Sequence, residues 1–67
     1  MGLNERQVRA VLYVVENGSI TNTQYVEIFD VSRQTATIDL VELTDTFNIL
    51  KRKGLGGAGT SYYLFDS

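Results

Sequence analysis

The sequence contains neither cysteine nor histidine, and these two absences exclude several kinds of functional site. Without cysteine there is no disulfide and no thiolate, which fits a reducing cytoplasm. Without histidine the chain lacks common zinc ligands and the usual general base. The carboxylates do not cluster, and the isolated serines and threonines fall at caps and loops. We therefore expect a protein that is not an enzyme and that carries no metal or cofactor.

Long apolar runs are also missing. No run approaches the ~20 residues that a membrane-spanning helix requires. No basic segment followed by an apolar segment marks a signal peptide. With 67 residues, the chain has room for one domain with a thin core. We therefore expect a single cytoplasmic domain over residues 1–67, with no membrane partner and no small-molecule site.

Positive charge is scarce overall but concentrated in one place. The net charge is −2, yet Lys51, Arg52 and Lys53 are consecutive. A phosphate-binding surface requires such local density, and not a basic average. The same three residues also suit a solvated edge strand, where lysine and arginine oppose aggregation. The charge pattern alone leaves both interpretations open.

Two capping boxes predict the starts of two helices. Asn4 is followed at the third position by Gln7, and Thr21 is followed in the same way by Gln24. Asn17-Gly18 predicts the end of the first helix, because both residues tolerate left-handed backbone. Apolar spacing then predicts an apolar face on the first helix and the buried face of the second. These faces are Val8, Val11, Leu12 and Val15 in the first helix, and Tyr25, Ile28 and Phe29 in the second.

The segment Ile20–Leu43 predicts a short helix, a tight turn and another helix. Asp30 accepts the backbone of such a turn, and Ser32 caps the third helix, expected at about 32–47. Its buried stripe is predicted to be Ala36, Leu40, Leu43 and Phe47. Its opposite face is Gln34, Thr35, Ile38, Glu42 and Asp45. This order of elements is a helix-turn-helix, whose second helix commonly lies in the major groove of DNA.

A β-hairpin is predicted directly after this helix-turn-helix. Asn48 ends the helix, and Leu50–Lys53 and Tyr62–Phe65 are the two strands. The glycines between them make the connecting loop permissive. A helix-turn-helix followed by a hairpin is the plan of a winged helix. The predicted fold class is therefore α+β, with three helices packed on a small antiparallel β-hairpin wing.

The order of these motifs resembles the small C-terminal winged-helix domain of RecG-related transcriptional regulators. It is also similar to the winged-helix tails of some Fic-type proteins. The residues that carry the resemblance are LNERQ (Leu3–Gln7), NGSITN (Asn17–Asn22), FDVSRQTATIDL (Phe29–Leu40) and NILKRKGLGGAGTSYYL (Asn48–Leu64). The resemblance implies a piece of a longer protein. The helicase-related family name implies no ATPase activity, because the motif GxxxxGK[ST] is absent.

Three features depart from the pattern of that family. The turn has Asp30 where glycine is frequent, and the third helix has Ile38 where a second basic residue is common. The predicted wing tip, Gly56-Gly57-Ala58-Gly59, lacks the lysine or arginine that the family commonly carries there. Each departure removes a contact to phosphate or base.

A DNA-binding function assigns roles to nine residues. Arg33 can bind guanine or phosphate, and Gln34 can pair with adenine. The first turn of the third helix favours an anion through its free N–H groups and the helix dipole. The three consecutive basic residues would contact flanking phosphates. The predicted DNA-contacting residues are Ser32, Arg33, Gln34, Thr35, Thr37, Ile38, Lys51, Arg52 and Lys53.

The competing hypothesis is a winged helix that binds protein or dimerises, without nucleic acid. It is favoured by the acidic residues, by Ile38 and by the uncharged wing tip. Ile38 with Val41 would form an apolar patch that suits a protein partner or a thymine methyl. Arg33 and Gln34 are also ordinary solvated residues at a helix start. Double-stranded DNA and a second copy of the chain are therefore the expected partners.

Overall fold

The computed structural model describes residues 2–54 and 60–64. Within these ranges it is a small α+β fold with three helices and a three-stranded antiparallel sheet. The helices are α1 (Glu5–Asn17), α2 (Asn22–Phe29) and α3 (Arg33–Val41), and α3 continues as a π-helical segment, Glu42–Thr46. The strands are β1 (Ile20–Thr21), β2 (Leu50–Lys53) and β3 (Ser61–Leu64).

Both predicted capping boxes are confirmed. The Gln7 amide N–H donates to Asn4 Oδ1 at 2.7 Å, and the Asn4 amide N–H donates to Gln7 Oε1 at 2.9 Å. Thr21 and Gln24 exchange the same two bonds at 2.9 and 3.1 Å. Gly18 ends α1 with φ 95°, a conformation that glycine adopts without strain. The two helix starts are thus fixed by contacts within four residues of sequence.

The predicted turn between α2 and α3 is confirmed in detail. Asp30 has φ 54° and ψ 51°, which is left-handed backbone. Ser32 then accepts the Thr35 amide N–H at 3.1 Å and caps α3. Val31, between them, is half-buried against the core. The turn therefore sets the direction in which α3 leaves α2.

The predicted continuous helix over about 32–47 is wrong in its last turn. The backbone N–H of Phe47 donates to the carbonyl of Glu42, five residues back, at 2.9 Å. This wider turn advances the chain out of the α-helical spacing, so that Leu43 is buried but Phe47 is only half-buried. The Thr44 hydroxyl also donates to the Leu40 carbonyl at 2.8 Å, within the same turn. Asn48, with φ 54°, ends the segment as predicted.

The sheet has the order β1-β3-β2, so the predicted hairpin gains a third strand from the short segment before α2. Ile20 pairs with Tyr62, and Leu50 pairs with Leu64. Residues opposite one another share a face of the sheet. Ile20, Leu50 and Tyr62 are all buried, so their face is the inner one. Phe65 and the predicted wing tip lie outside the described residues.

The core lies between this inner face and the three helices. Its largest fully buried side chain is Tyr25, and Ala10 and Ala36 are small enough to let helices approach closely. The other buried apolar residues are Val14, Ile20, Leu40, Leu43, Leu50 and Tyr62. Tyr13 packs half-buried against this core.

The apolar face of α1 is not the face that this helix buries. Val8, Leu12 and Val15 are exposed, and Val11 is half-buried. The residues that α1 buries are instead Gln7, Ala10 and Val14. The small side chain of Ala10 lies in the middle of this face, and the polar residue of the face, Gln7, is hydrogen-bonded. In α2 the predicted buried face is wrong at Ile28, which is exposed, whereas Tyr25 is buried and Phe29 is half-buried.

Two adjacent valines in α1 provide a direct test of this orientation. Val14 is 1% exposed and Val15 is 59% exposed. We expect Val14→Ala to lower the free energy of unfolding by about 2 kcal/mol, because it removes two buried methyl groups and leaves a cavity. Val15→Ala is the matched control, and we expect a change below about 0.5 kcal/mol. Chemical denaturation of both variants measures the difference; equal losses would contradict the orientation of α1.

Candidate nucleic-acid interface

One carboxylate, Asp39, holds α3 against the other two helices. Its side chain lies on the inner side of α3, and the residue is 3% exposed. It accepts hydrogen bonds from Arg6 Nε at 2.8 Å and from the Tyr25 hydroxyl at 2.6 Å. Arg6 Nη2 and the Asn4 side-chain amide donate two further bonds, at 3.5 and 3.3 Å. Because Asn4 and Arg6 belong to the start of α1 and Tyr25 belongs to α2, this group joins all three helices.

Gln7 adds a second link between α1 and α3. Its side-chain amide donates to the backbone carbonyl of Asp39 at 3.1 Å and to Glu42 Oε1 at 2.8 Å. The side-chain oxygen of Gln7 is used in the capping box. Within residues 2–54 and 60–64, every buried side-chain nitrogen and oxygen has a hydrogen-bond partner. The polar contacts between α1 and α3 are therefore complete and directional.

The ionisation states of this network favour one arrangement at neutral pH. Burial by itself raises the pKa of Asp39, but the hydrogen bonds from Arg6, Tyr25 and Asn4 outweigh it, so the pKa lies below its ordinary value. Burial, and next the bond to Asp39, raises the pKa of Tyr25. The hydrogen bond to Asp39 raises the pKa of Arg6. The carboxylate stays charged and the phenol neutral, as a structural network requires.

This network fixes which side of α3 is presented to solvent. Arg33, Gln34, Thr37 and Ile38 are exposed together, at spacings that place them on one face of the helix. Thr37 accepts a hydrogen bond from the Asn22 side-chain amide at 2.9 Å. The structure therefore brings four of the predicted contact residues to one outward surface, which we call the α3 face.

Two further predicted DNA-contacting residues, Ser32 and Thr35, form hydrogen bonds with each other at the start of α3. The Ser32 hydroxyl accepts the Thr35 amide N–H and donates to Thr35 Oγ1, both at 3.1 Å. Ser32 is exposed and Thr35 is half-buried. Their side chains stabilise the start of α3, beside the α3 face.

The predicted basic cluster at 51–53 is divided between two sides of the sheet. Arg52 is paired with Tyr62 and so lies on the inner side, where its guanidinium contacts Asp45 at 3.6 Å. Lys51 and Lys53 lie on the outer side, opposite Tyr63 and Ser61 respectively. The alternation of side chains along a strand causes this division. The cluster therefore supplies two lysines on the outer side and one arginine on the inner side.

The basic strand and Arg33 are at opposite ends of the long helical segment. Strand β2 packs beside Glu42–Thr46, where Glu42 and Asp45 are exposed. Arg33 is the first residue of α3, roughly 18 Å away from Asp45 along the helix by its rise per residue. The positive charges among the nine predicted residues thus lie in two separate places, Arg33 at the start of α3 and the basic residues of β2, and Glu42 and Asp45 lie in the segment beside β2.

The described part of the chain contains neither a group of metal ligands nor a membrane-spanning helix. No three histidine, cysteine, aspartate or glutamate side chains there are grouped so that they would hold a metal ion. None of the described helices has the length and apolar character needed to cross a bilayer. Comparisons with protein-family models, with curated proteins and with solved structures give no match.

Asp39 and the second role of Gln7 were not predicted from the sequence. A signal was present for Asp39, because positions 36, 39, 40 and 43 complete the spacing i, i+3, i+4, i+7 of a buried stripe. An acidic residue inside such a stripe requires partners, and Arg6 and Tyr25 were available in the chain. For Gln7, the positions 7, 10 and 14 share one face of α1.

Removal of the Asp39 carboxylate should weaken the whole fold. We expect Asp39→Ala to lower the free energy of unfolding by about 2–3 kcal/mol, because the buried Tyr25 hydroxyl loses its partner. Asp45→Ala removes an exposed ion pair with Arg52 and is the control, with an expected loss below about 1 kcal/mol. Denaturation at neutral pH measures both. Similar values for the two variants would contradict the central role of Asp39.

A comparison of wild type with Asp39→Ala also tests the pH dependence. The folded-state pKa of Asp39 lies below its ordinary value of 3.8. Its stabilising contribution is therefore fully present above that value and is lost as the pH falls through the folded-state pKa. We expect the difference in stability between wild type and Asp39→Ala to shrink upon acidification below this value. A difference that stays constant in acid would show that the charge of Asp39 is not what stabilises the fold.

Proposed function

We propose that this chain is a winged-helix module that binds double-stranded DNA within a transcriptional regulator, as its resemblance to the RecG-related family predicts. The observation that carries the proposal is the pair α2 and α3, joined by the left-handed turn at Asp30. The antiparallel pair β2 and β3 follows directly and would be the wing. In this function the α3 face lies in the major groove, and the outer side of β2 lies along the phosphate backbone.

Arg33 is the residue best suited to contact DNA. It is exposed at the first position of α3, and no ion pair holds its guanidinium in the part of the chain that the structure describes. The free amide groups of that helix turn add a partial positive charge beside it. A guanidinium in this position can bind guanine with two hydrogen bonds, or bind one phosphate. Gln34, next to it, can make the equivalent pair with adenine.

Ile38 extends the α3 face with an apolar contact. It is exposed and lies one turn along the helix from Gln34. In a groove, its side chain would meet a thymine methyl group, which is the apolar feature of the major groove. An Arg33–Gln34–Ile38 surface would therefore favour a site that includes a thymine.

Lys51 and Lys53 would contact phosphates from the outer side of β2. Such contacts orient a protein on DNA without reading its sequence. Arg52 would contribute less, since it points to the other side and is paired with Asp45. The acids of Glu42–Thr46 oppose a close approach of that end of the helix to DNA. We therefore expect modest affinity from one copy of the module, and a dependence on more than one copy at a natural site.

A protein-binding winged helix is the competing function. The exposed Ile38 and the acidic residues Glu42 and Asp45 favour it, because an apolar centre with a charged rim suits a protein partner. This function uses the same α3 face without requiring the lysines of β2.

The test is fluorescence anisotropy of labelled duplex DNA, with the variants Arg33→Gln and Arg52→Gln. Each variant removes one positive charge, so a general electrostatic effect is the same in both. We expect Arg33→Gln to weaken binding about tenfold or more, as loss of a contact to base or phosphate does. Arg52→Gln should change the affinity less than about threefold. Circular dichroism of both variants is the control that tests whether they are folded.

The lysines are tested through the salt dependence. We expect the double variant Lys51→Gln/Lys53→Gln to weaken binding to all sequences alike, and to reduce the slope of log affinity against log salt by about two. If folded wild-type protein shows no salt-dependent binding, DNA is not the ligand and the protein-binding function takes its place. Equal effects of Arg33→Gln and Arg52→Gln would show binding without use of the α3 face.

A further inference from the structure

The outward side of α1 carries an apolar surface that the DNA-binding function does not use. Val8, Leu12 and Val15 are exposed along it, and Val11 is half-buried at its edge. We call these four residues the α1 stripe. Beside it, Leu12 of α1 and Ile28 of α2 line an open groove of about 400 Å³. Large apolar side chains grouped in this way mark an interaction surface more often than isolated ones do.

We propose that the α1 stripe binds the α1 stripe of a second copy of this chain, with the two helices antiparallel. The symmetry of the stripe supports this pairing. The positions 8, 11, 12 and 15 are symmetric about the midpoint between residues 11 and 12. A two-fold axis through that point places Val8 of one copy opposite Val15 of the other, and Val11 opposite Leu12. Dimers with two-fold symmetry require a surface that is complementary to itself in this way.

The charges beside the stripe support the same pairing independently. Arg9 and Glu16 are seven residues apart, so they lie on the same flank of α1, two turns from each other, and both line the groove. In an antiparallel helix pair, one flank meets the same flank of the other copy. Arg9 of each copy then lies within about 3 Å, along the axis, of Glu16 of the other, by the rise per residue. Arg9 of each copy thus faces Glu16 of the other, which gives two favourable ion pairs across the two-fold axis.

In the antiparallel dimer, Arg9 would have to turn from Glu5 of its own helix towards Glu16 of the second copy. The contact between Arg9 and Glu5 is weak enough to allow this. Arg9 is 3.7 Å from Glu5 in its own helix, and both side chains are mostly exposed. An exposed pair with this spacing contributes only a few tenths of a kcal/mol. The guanidinium can therefore exchange Glu5 for Glu16 of the second copy, or lie between both carboxylates.

The proposal is independent of DNA binding, because the α1 stripe shares no residue with the α3 face or with the lysines of β2. The proposed dimer bears on DNA binding only through its symmetry. A two-fold dimer would present two α3 faces, and a palindromic DNA site has the matching symmetry. The small size of the stripe indicates a weak dimer, with a dissociation constant on the order of 10 μM to 1 mM.

Sedimentation equilibrium of the full chain at concentrations up to about 1 mM tests the proposal. The variant Leu12→Glu places a charge at the centre of the stripe. Its matched control is Ile38→Glu, since Leu12 is 56% exposed and Ile38 is 52% exposed, on different helices. We expect Leu12→Glu to weaken the dimer at least about tenfold and Ile38→Glu to leave it within about twofold of wild type.

A charge exchange tests the antiparallel arrangement. We expect Arg9→Glu and Glu16→Arg each to weaken the dimer, because each places like charges opposite one another. The double variant Arg9→Glu/Glu16→Arg should restore it to within about threefold of wild type, since it recreates the pairs with reversed sign. Circular dichroism and thermal unfolding are the controls that test whether each variant keeps the fold.

Three results would overturn the proposal. A wild-type chain that remains monomeric at the highest concentration would show that the stripe does not bind a second copy. Equal effects of Leu12→Glu and Ile38→Glu, or no effect of Leu12→Glu on a dimer, would place the contact elsewhere. Failure of the double charge variant to recover would exclude the antiparallel arrangement. DNA binding by a strictly monomeric chain would leave the proposed function intact while removing this one.

Discussion

The carboxylate of Asp39 is the constraint on which the arrangement of the three helices depends. A buried charge is costly unless it is paired and fully hydrogen-bonded, so it tolerates few positions of its neighbours. Apolar packing alone would let α3 roll on the core with small losses, because dispersion contacts have little directionality. The bonds from Arg6 and Tyr25 prevent such rolling. A helix whose outward side is to be read by a partner benefits from this fixed rotation.

The features that could be predicted from the sequence are those that depend on neighbouring residues. The capping boxes at Asn4 and Thr21, the cap at Ser32, the turn residue Asp30 and the helix end at Asn48 were all confirmed. Each involves at most a few consecutive residues, so its physics is contained in a short segment. The three helices follow from these signals, and the pairing of β2 with β3 was predicted from two β-prone segments and the glycines between them. Short-range sequence patterns are therefore sufficient to predict the local part of the fold.

The orientation of elements was less accessible, because it depends on residues distant in sequence. The stripe of Val8, Val11, Leu12 and Val15 is more apolar than the side with Gln7, Ala10 and Val14, yet α1 buries the latter. Ala10 allows close approach, and Gln7 finds partners more than thirty residues away. Hydrophobicity alone would choose the wrong side. In the candidate site, Arg52 lies on the opposite side of the sheet from Lys51 and Lys53 for a similar reason. The pairing of β2 with β3 decides which side of β2 faces inward.

The π-helical segment Glu42–Thr46 has a consequence for the register between the helical and sheet parts of the molecule. It takes up one residue more per hydrogen-bonded turn than an α-helix does, and one residue corresponds to about 100° of rotation. An uninterrupted α-helix would have carried Phe47 onto the buried stripe and delivered the chain to the sheet in a different phase. Instead, Leu50 faces the core and the two lysines face outward. The segment therefore sets the rotation of the chain where it enters the sheet, and the number of residues between Leu43 and Leu50 decides which side chains of β2 lie on the inner side of the sheet.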